Sequence, residues 1–330
     1  MLEINGNAGG GSVVRIAVAL SAMTQKPCKI THIREKRANP GMQAQHIAAV
    51  KAVATMCDAS VTGCFVGSSG LEFTPKEMKG RTFELAVGTA GSIALVLQAI
   101  MIAALAAKEV VRVKITGGTV NKWAPSLSYL QNVTLPILKK MGYDATVNVI
   151  KHGFYPKGGG IVEAIIKPRT LKPVNLTERG GVTRVLGTAL ASSDLKKGKV
   201  TERMAKTATI EGANIKAEYT ETLSTGGIID MFAQCEYSVL GVSVLAERDK
   251  SAESVGKEAA SLLQEAIESN AAVDEHMADQ ILPFLAVAGG AVRVPRITEH
   301  CIVNMNVINQ FLKVPFSIKE NIIKAEKSQP

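Results

Sequence analysis

A glycine-rich turn followed by a long apolar segment occurs twice in this chain, about 80 residues apart. The first copy begins at residues 9–12 and the second at residues 88–92, and the same order of strand-like and helical segments follows each. Glycine next to serine is typical of a helix N-terminus, because the serine side chain caps free N–H groups. A repeat of this length exceeds a solenoid unit and indicates duplicated α/β modules.

A third copy of the pattern lies near the C-terminus. Residues 275–288 resemble the first helix of the module, residues 292–297 its strand and residues 301–312 its second helix. The spacing from the second copy leaves about 100 extra residues, which indicates an inserted α/β domain. We therefore predict a discontinuous large domain, made of residues 1–180 and 271–330, and an inserted small domain at 181–270. Residues 1–180 hold two modules and the start of the third, which residues 271–330 complete.

Length, composition and charge restrict the class of protein. The chain has 330 residues, of which 46% are hydrophobic and 20% charged. Such a chain buries a large core, so intrinsic disorder is excluded. The formal net charge of +9 favours an anionic partner: a nucleic acid, a nucleotide or an acidic metabolite.

The cysteines, the first ten residues and the most apolar segment indicate where in the cell the protein is located. The five cysteines include no CxxC pair, so neither a disulfide framework nor a cysteine zinc site is supported, and reduced, buried thiols are expected. The first ten residues lack the basic and apolar regions of a signal peptide. Residues 86–107 carry no charge, but their polar residues favour a buried helix beginning near Ser92 over a membrane span. We expect a cytoplasmic protein with no membrane partner.

A loop with two arginines precedes the second predicted helix. Arg34 and Arg37 lie in this loop, and the first turn of the helix carries Gln45 and His46. A helix N-terminus presents N–H groups and partial positive charge, and arginine binds phosphate oxygens through two parallel hydrogen bonds. With Arg15 nearby in the predicted fold, the pattern indicates a candidate phosphate site. An ordinary solvated loop is the alternative that the spacing leaves open.

Two further candidates come from the third module. His276, Asp279 and Gln280 are spaced i, i+3 and i+4, so they share one helix face that is suited to a nucleotide. An ordinary polar surface face of a helix is the alternative. The number and types of these side chains are insufficient for a metal site. His300 lies just before an apolar helix. A neutral imidazole can attack phosphorus at neutral pH, although no local partner distinguishes it from a structural histidine.

Several short strings follow one another along the whole chain. They are Gly9-Gly10-Gly11 with Arg15, Arg34-x-x-Arg37-x-Asn39-Pro40-Gly41, Gln45-His46, Gly91-Ser92, Gly117-Gly118-Thr119, His152-Gly153-Phe154-Tyr155-Pro156-Lys157-Gly158-Gly159-Gly160, Asp279-Gln280 and His300-x-x-x-Asn304. In this order they resemble the RNA 3′-terminal phosphate cyclase family, for which the string that begins at His152 is highly specific.

The resemblance implies a fold and a reaction. The fold is α/β (α+β), with three repeated modules of two helices on a four-stranded sheet and a smaller inserted domain. The enzyme is a nucleotidyl-transfer ligase of RNA processing, which uses ATP to convert an RNA 3′-phosphate into a 2′,3′-cyclic phosphate. A histidine first takes AMP from ATP, the RNA phosphate then takes the AMP, and the neighbouring 2′-OH finally expels it.

The resemblance also assigns residues. His300 matches the histidine that carries AMP. The positions expected to surround ATP are Gln98, Pro125, His276, Met277, Ala278, Asp279 and Gln280. The positions expected to hold the RNA phosphate are Arg15, Arg34, Arg37, Gln45 and His46. A divalent cation, Mg²⁺ or Mn²⁺, is expected to balance the triphosphate charge, with its protein ligands unknown.

The chain departs from the family pattern at three positions. Ala8 stands where the family usually has a glutamate, Ser12 replaces a glutamine, and His276 replaces a tyrosine that packs on adenine. The missing acid puts the usual metal contact in question, whereas His276 keeps a flat ring. Two alternatives therefore stay open: a non-catalytic, cyclase-like RNA-binding protein of ribosome assembly, and a small-molecule transferase such as an enolpyruvyl transferase. The presence of His300 favours the enzyme over the former, and the strings at 34–41 and 152–160 oppose the latter.

Overall fold

A computed structural model describes residues 1–122 and 124–328 and has a mixed α/β fold, which confirms the predicted class. Sixteen strands in the described residues form four four-stranded sheets. The strands are β1 (Leu2–Asn5), β2 (Cys28–Thr31), β3 (Ser60–Thr62), β4 (Leu71–Thr74), β5 (Thr82–Ala86), β6 (Val111–Gly117), β7 (Asp144–Lys151), β8 (Gly160–Lys167), β9 (Val174–Leu176), β10 (Val182–Ser192), β11 (Ala213–Thr220), β12 (Gly227–Cys235), β13 (Val239–Leu245), β14 (Gly290–Arg293), β15 (Phe316–Lys319) and β16 (Ile322–Ala325).

The α-helices in the described part of the chain range in length from a single turn to more than four turns. They are α1 (Gly11–Thr24), α2 (Ala44–Cys57), α3 (Ile93–Ala103), α4 (Leu127–Tyr129), α5 (Leu135–Lys140), α6 (Val200–Thr207), α7 (Ala252–Glu268), α8 (Glu275–Gln280), α9 (Leu282–Ala288) and α10 (Glu299–Leu312).

Three of the sheets share one strand arrangement. Their orders are β1-β2-β4-β3, β5-β6-β8-β7 and β9-β14-β16-β15. In each, the first two strands are parallel and the remaining neighbours antiparallel. The parallel strands are connected by α1 in the first sheet and by α3 in the second, as parallel pairing requires a crossover. In the third sheet, β9 and β14 lie on opposite sides of the predicted insert.

The fourth sheet, with the order β11-β10-β12-β13, lies within the predicted insert. It packs against α6 and α7 around an apolar cluster of its own, which includes Met204, Val255 and Leu263. The sequence of the insert predicts the order strand, helix, strand and helix, and the unit contains two more strands than that, because short apolar runs give no clear periodicity. The domain division at 181–270 stays a prediction.

Helix α1 lies at the centre of the main core. It contacts α2, α3 and α10, and its residues from Ser12 to Ala22 are all buried. A helix enclosed on all sides is apolar almost all round, which explains the sequences of α1, whose one charged residue is Arg15, and of α3, which has none, without a membrane. Among the described residues, no helix combines the length and the hydropathy that a membrane span requires.

Two helices that the sequence predicts as continuous are interrupted, each beside a proline. The segment Ala124-Pro125-Ser126 predicts the start of a helix that continues to about Lys140, but the structure has α4, a π-helical segment (Leu130–Thr134) and α5, which has Pro136 in its first turn. The helix expected at 275–288 is divided into α8 and α9, with Pro283 in the first turn of α9. Proline lacks an N–H and clashes with the preceding turn, so each helix restarts where proline is tolerated.

The strand expected at 292–297 is also displaced: β14 ends at Arg293. Pro295 follows within two residues and has no N–H to donate, so strand pairing ends before it.

The packing of α7 on α6 supplies a test of the inserted unit. Gly256 lies in α7, and a Cβ atom there would lie 2.2 Å from the Met204 carbonyl oxygen and 2.3 Å from Thr207 Oγ1. We expect Gly256→Ala to lower the free energy of unfolding by about 1–3 kcal/mol, although alanine favours a helix, because the backbone of α6 must move. Urea unfolding measures the change. The adjacent exposed Lys257→Ala serves as the control, and equal stability of the two variants would contradict the packing.

Candidate active site

A cavity of about 880 Å³ opens between the modules and the inserted unit. Its lining combines residues from the starts of several helices with residues from the strands of the insert. They are Gly9, Gly11, Ser12, Arg15, Arg34, Arg37, Ala38, Asn39, Gln43, Gln45, His46, Leu95, Gln98, Asn121, Lys122, Ala124, Pro125, Tyr129, Ile228, Ser243, Leu245, Glu275, His276, Asp279, Gln280, Thr298 and His300.

Three fourteen-residue helices begin at this cavity. Gly11 and Ser12 open α1, Gln43 caps α2, and Thr298 caps α10. Each helix N-terminus has N–H groups without helical partners and carries partial positive charge. Their convergence makes the cavity favourable for anions, above all for phosphate groups.

Arg15 brings a full positive charge to the floor of the cavity. Its side chain is 7% exposed, and its Nε donates to Gln98 Oε1 at 3.2 Å. Burial lowers the pKa of Arg15 to about 10, while the charge of Asp279 opposes that shift. The guanidinium therefore remains protonated at neutral pH but is poorly solvated, which favours the binding of an anion.

Arg34 holds the arginine loop in shape. Its backbone is left-handed, at φ 55°, and its Nη1 donates to the carbonyl oxygens of Asn39 and Gly41, both at 2.7 Å. Partial burial and the neighbouring Arg37 lower the pKa of Arg34. One nitrogen of Arg34 is thus engaged by the loop, while the rest of the guanidinium lines the cavity.

The glycine run makes room for two cavity side chains. A Cβ atom on Gly10, whose φ is 61°, would lie 3.2 Å from Arg37 Nη2, and one on Gly11 would lie 2.1 Å from His46 Nε2. Arg37 and His46 therefore lie directly against the start of α1, which only residues without a side chain permit.

His46 acts as a neutral group. Its Nδ1 accepts the N–H of Gln43 at 2.9 Å in a capping box, so the neutral ring carries its proton on Nε2. Burial lowers the pKa of His46 to about 3, and the charges of Arg15 and Arg34 contribute to that shift. At neutral pH, His46 therefore offers the cavity an uncharged N–H donor.

Gln45 connects the first two modules. Its Oε1 accepts the backbone N–H of Ser92 at 3.0 Å, and Ser92 caps α3, the helix that carries Gln98. The position of Gln98 beside Arg15 is thus linked to the start of α2. The predicted phosphate and nucleotide residues share one network here.

Helix α8 presents the other side of the cavity. His276, Asp279 and Gln280 line it, and the Gln280 amide donates to the His276 carbonyl at 2.9 Å and accepts from Thr134 Oγ1 at 3.3 Å. Burial raises the pKa of Asp279, while His300, His276 and Arg15 oppose the shift. Met277 and Ala278 are fully buried in the main core and do not line the cavity, because they lie on the opposite face of α8.

His300 lies in the first turn of α10, exposed and at the edge of the cavity. Its helix is capped by Thr298, whose Oγ1 accepts the N–H of Cys301 at 3.1 Å. One turn further along, Asn304 is buried, and its amide donates to the Asp279 carbonyl at 3.5 Å. The nucleophile predicted from the sequence is therefore accessible and lies on an anchored helix.

Comparison with known proteins identifies this arrangement. A family model described as RNA 3′-terminal phosphate cyclase matches residues 7–318. The chain belongs to this family. Proteins named RNA 3′-terminal phosphate cyclase are 40% identical to it in Halobacterium salinarum (94% of this chain and 95% of that one), Pyrococcus furiosus (98% and 96%) and Methanococcoides burtonii (97% and 97%). The family and the enzyme class predicted from the motifs are confirmed.

A likeness among solved structures is much weaker. The enolpyruvyl transferase NikO from Streptomyces tendae aligns with 99% of this chain and 66% of its own, at 11% identity and a TM-score of 0.30. A likeness at that level carries no argument for the transferase alternative.

In this member of the cyclase family, the cavity includes side chains that sequence reasoning missed. Ile228, Ser243 and Leu245 come from strands of the insert, and Tyr129 comes from α4. The strand residues carry no sequence signal, because an apolar strand looks the same wherever it packs. Tyr129 carries no distinct signal either, because its helical segment already contains the polar residues Ser128 and Gln131.

The departures from the cyclase pattern have visible consequences. Ser12 supports the glycine turn, since its hydroxyl donates to the Gly9 carbonyl at 2.8 Å. Ala8 brings no carboxylate to the cavity, whose acidic lining residues are Glu275 and Asp279. Glu275 is paired with Arg296 at 2.7 Å, and within the described residues no group of three or more histidine, cysteine or acidic side chains is arranged so that it could hold a metal ion. These residues do not fit a divalent cation held by protein ligands.

The buried His46 predicts a pH-dependent stability. The unfolded chain binds a proton at this histidine below about pH 6.5 but the folded chain does not, so stability falls as the pH falls from 6.5 towards 3. At pH 5 the loss from this one group is roughly 2 kcal/mol. We expect His46→Gln, which can keep the capping bond, to flatten that slope in urea unfolding from pH 7 to 4.5. The exposed His32→Gln is the control, and an unchanged slope in His46→Gln would contradict the neutral, buried state.

Proposed function

We propose that this protein uses ATP to convert the 3′-terminal phosphate of an RNA into a 2′,3′-cyclic phosphate, in an RNA-processing reaction with AMP and pyrophosphate as the other products. The observation that carries the proposal is the convergence of Arg15, Arg37, three helix N-termini and an accessible His300 on one cavity. The names of the relatives supply the substrate class.

The arginine side of the cavity is suited to the RNA phosphate. A terminal phosphate there would meet the buried charge of Arg15, the exposed donors of Arg37 and the uncharged N–H of His46. Such donors are fixed before the substrate binds, so little reorganisation is needed as charge develops. Arg34 and Gln45 contribute by holding the loop and the start of α3.

The α8 side of the cavity is suited to ATP. His276, Gln280 and Pro125 offer a flat ring, an amide and an apolar edge to an adenine, and Gln98, which accepts a hydrogen bond from Arg15, lines the same cavity. This arrangement would direct the α-phosphate towards His300. We propose nucleotide binding by the cavity side chains, with Met277 and Ala278 contributing through the packing of α8.

His300 would carry the AMP. An unprotonated ring nitrogen attacks the α-phosphorus of ATP, the bond to the bridging oxygen breaks, and pyrophosphate leaves with that electron pair. A terminal phosphate oxygen of the RNA then attacks the same phosphorus and releases the imidazole. The 2′-oxygen loses its proton and attacks the activated terminal phosphorus, and AMP leaves as the cyclic ester forms.

Two other expectations stay proposals. No step above is assigned to a divalent cation, because the described residues do not fit one; any such ion would rely on phosphate oxygens of the substrates.

A cytoplasmic location agrees with cysteines that are all free within the described residues.

Covalent labelling tests the proposed nucleophile. We expect the parent protein, incubated with α-labelled ATP and Mg²⁺ or Mn²⁺, to retain an acid-labile, alkali-stable label on a denaturing gel, as a phosphoramidate does. His300→Ala removes the attacking nitrogen and should lower labelling and RNA cyclisation by at least roughly 1,000-fold. Asn306→Ala, an exposed change on the same helix, should leave both unchanged.

The alternative outcomes are distinct. Cyclisation by His300→Ala at the parental rate would contradict the covalent mechanism. A folded parent that takes no label with either cation, yet binds RNA, would favour the non-catalytic RNA-binding alternative that Ala8 keeps open.

A further inference from the structure

A buried carboxylate lies directly before α8 and outside the groups that the mechanism uses. Asp274 is 4% exposed, and its carboxylate accepts four hydrogen bonds. Buried acids are costly unless they are fully hydrogen-bonded, so this one indicates a position where fixed geometry is needed.

The four donors come from three separate parts of the chain. Asp274 Oδ1 accepts from Tyr129 Oη at 2.6 Å and from the N–H groups of His276 and Met277, both at 3.0 Å. Its Oδ2 accepts the N–H of Gly241 at 2.9 Å. One side chain therefore caps α8 and ties it to α4 and to β13 of the inserted unit.

Each of these parts supplies a wall of the cavity. The ring of Tyr129 is 1% exposed and meets the His276 ring edge-on, with centroids 6.3 Å apart and planes at 85°. Strand β13 contributes Ser243 and Leu245 to the lining. A shift of Asp274 would therefore move the ring that is suited to a nucleobase relative to both neighbouring walls.

We propose that Asp274 and Tyr129 form a positioning pair for the nucleotide: Asp274 holds the Tyr129 ring, the start of α8 and the inserted unit in one arrangement, which presents His276 and Gln280 to ATP. This inference rests on the proposed function, because it assigns the α8 side of the cavity to the nucleotide. In this proposal, neither Asp274 nor Tyr129 contacts the reacting atoms.

The strength of this pair follows from its surroundings. Burial, together with Asp274, raises the pKa of Tyr129 well above its usual value, so the hydroxyl keeps its proton and donates at any working pH. A charge-assisted hydrogen bond in a low-dielectric interior is stronger and more directional than one at the surface. Without the hydroxyl, the ring keeps its apolar packing but loses the bond that fixes its orientation to α8.

The chain offers a matched control for the tyrosine. Tyr143 is also buried, donates one hydrogen bond, to the Met101 carbonyl at 2.8 Å, and meets the Phe284 ring edge-on at 5.3 Å. It does not line the cavity. Tyr129→Phe and Tyr143→Phe thus remove equivalent groups from the core, and only the first acts on the proposed site.

The experiment measures binding of α,β-methylene-ATP, which cannot be cleaved at the α-phosphate, by calorimetry with the full chain. We expect Tyr129→Phe and Asp274→Asn to raise its Kd by about 5- to 20-fold. In cyclisation assays we expect the KM for ATP to rise similarly, with kcat and the Kd of 3′-phosphorylated RNA within about twofold of the parent. Tyr143→Phe should leave all of these constants unchanged, while thermal unfolding shows that each variant is folded.

Other results would overturn the inference. The inference would be wrong if folded Tyr129→Phe and Asp274→Asn proteins bound the analogue as tightly as the parent. It would also be wrong if Tyr143→Phe weakened binding equally, because that result would indicate a general loosening of the core. Either result leaves the proposed function intact. A parent protein that binds no analogue would contradict the proposed function itself, and the positioning role would fall with it.

Discussion

The buried positive charge of Arg15 constrains the organisation of the site. Its guanidinium has little water around it, and the charge of Asp279, which opposes the effect of burial on Arg15, comes from the partly buried side of α8. Two desolvated groups of opposite sign on α1 and α8 are stable only if the helices are held in fixed positions. The central place of α1, packed against α2, α3 and α10, supplies that rigidity.

The packing of helices from three similarly ordered sheets explains how so many donors reach one cavity. Helices of all three modules pack in one continuous core, and α1, α2 and α10 begin at the same place. Glycines at the start of α1 let Arg37 and His46 approach the helix, and Gln45 links α2 to α3. The anion-binding character of the cavity is therefore a property of how these helices meet, and α1, α2 and the loop before α2 contribute most of its groups.

The inserted unit has its own sheet and apolar cluster, but it also completes the cavity wall. Ser126 Oγ, at the start of α4, donates to the buried Asp230 of β12 at 2.7 Å, while Asp274 joins β13 to α8. Burial raises the pKa of Asp230 to about 6, although two serines oppose the shift. Polar contacts of this kind specify one docking arrangement, because displaced partners would leave buried groups without hydrogen bonds.

The sequence by itself determined the α/β class, the spacing of the two glycine-marked helix starts, and the family, because short strings such as 152–160 and Arg34 to Gly41 are local and ordered. It also predicted eleven of the side chains that line the cavity, including Arg15, His46 and His300. Only the tertiary structure decided that Met277 and Ala278 face the core and that Tyr129, Asp274 and the strands of the inserted unit come together at the cavity. These features depend on contacts between residues more than 100 positions apart, as in the Tyr129–Asp274 bond across 145 positions, and no local pattern encodes which distant surface an apolar or buried polar side chain will meet.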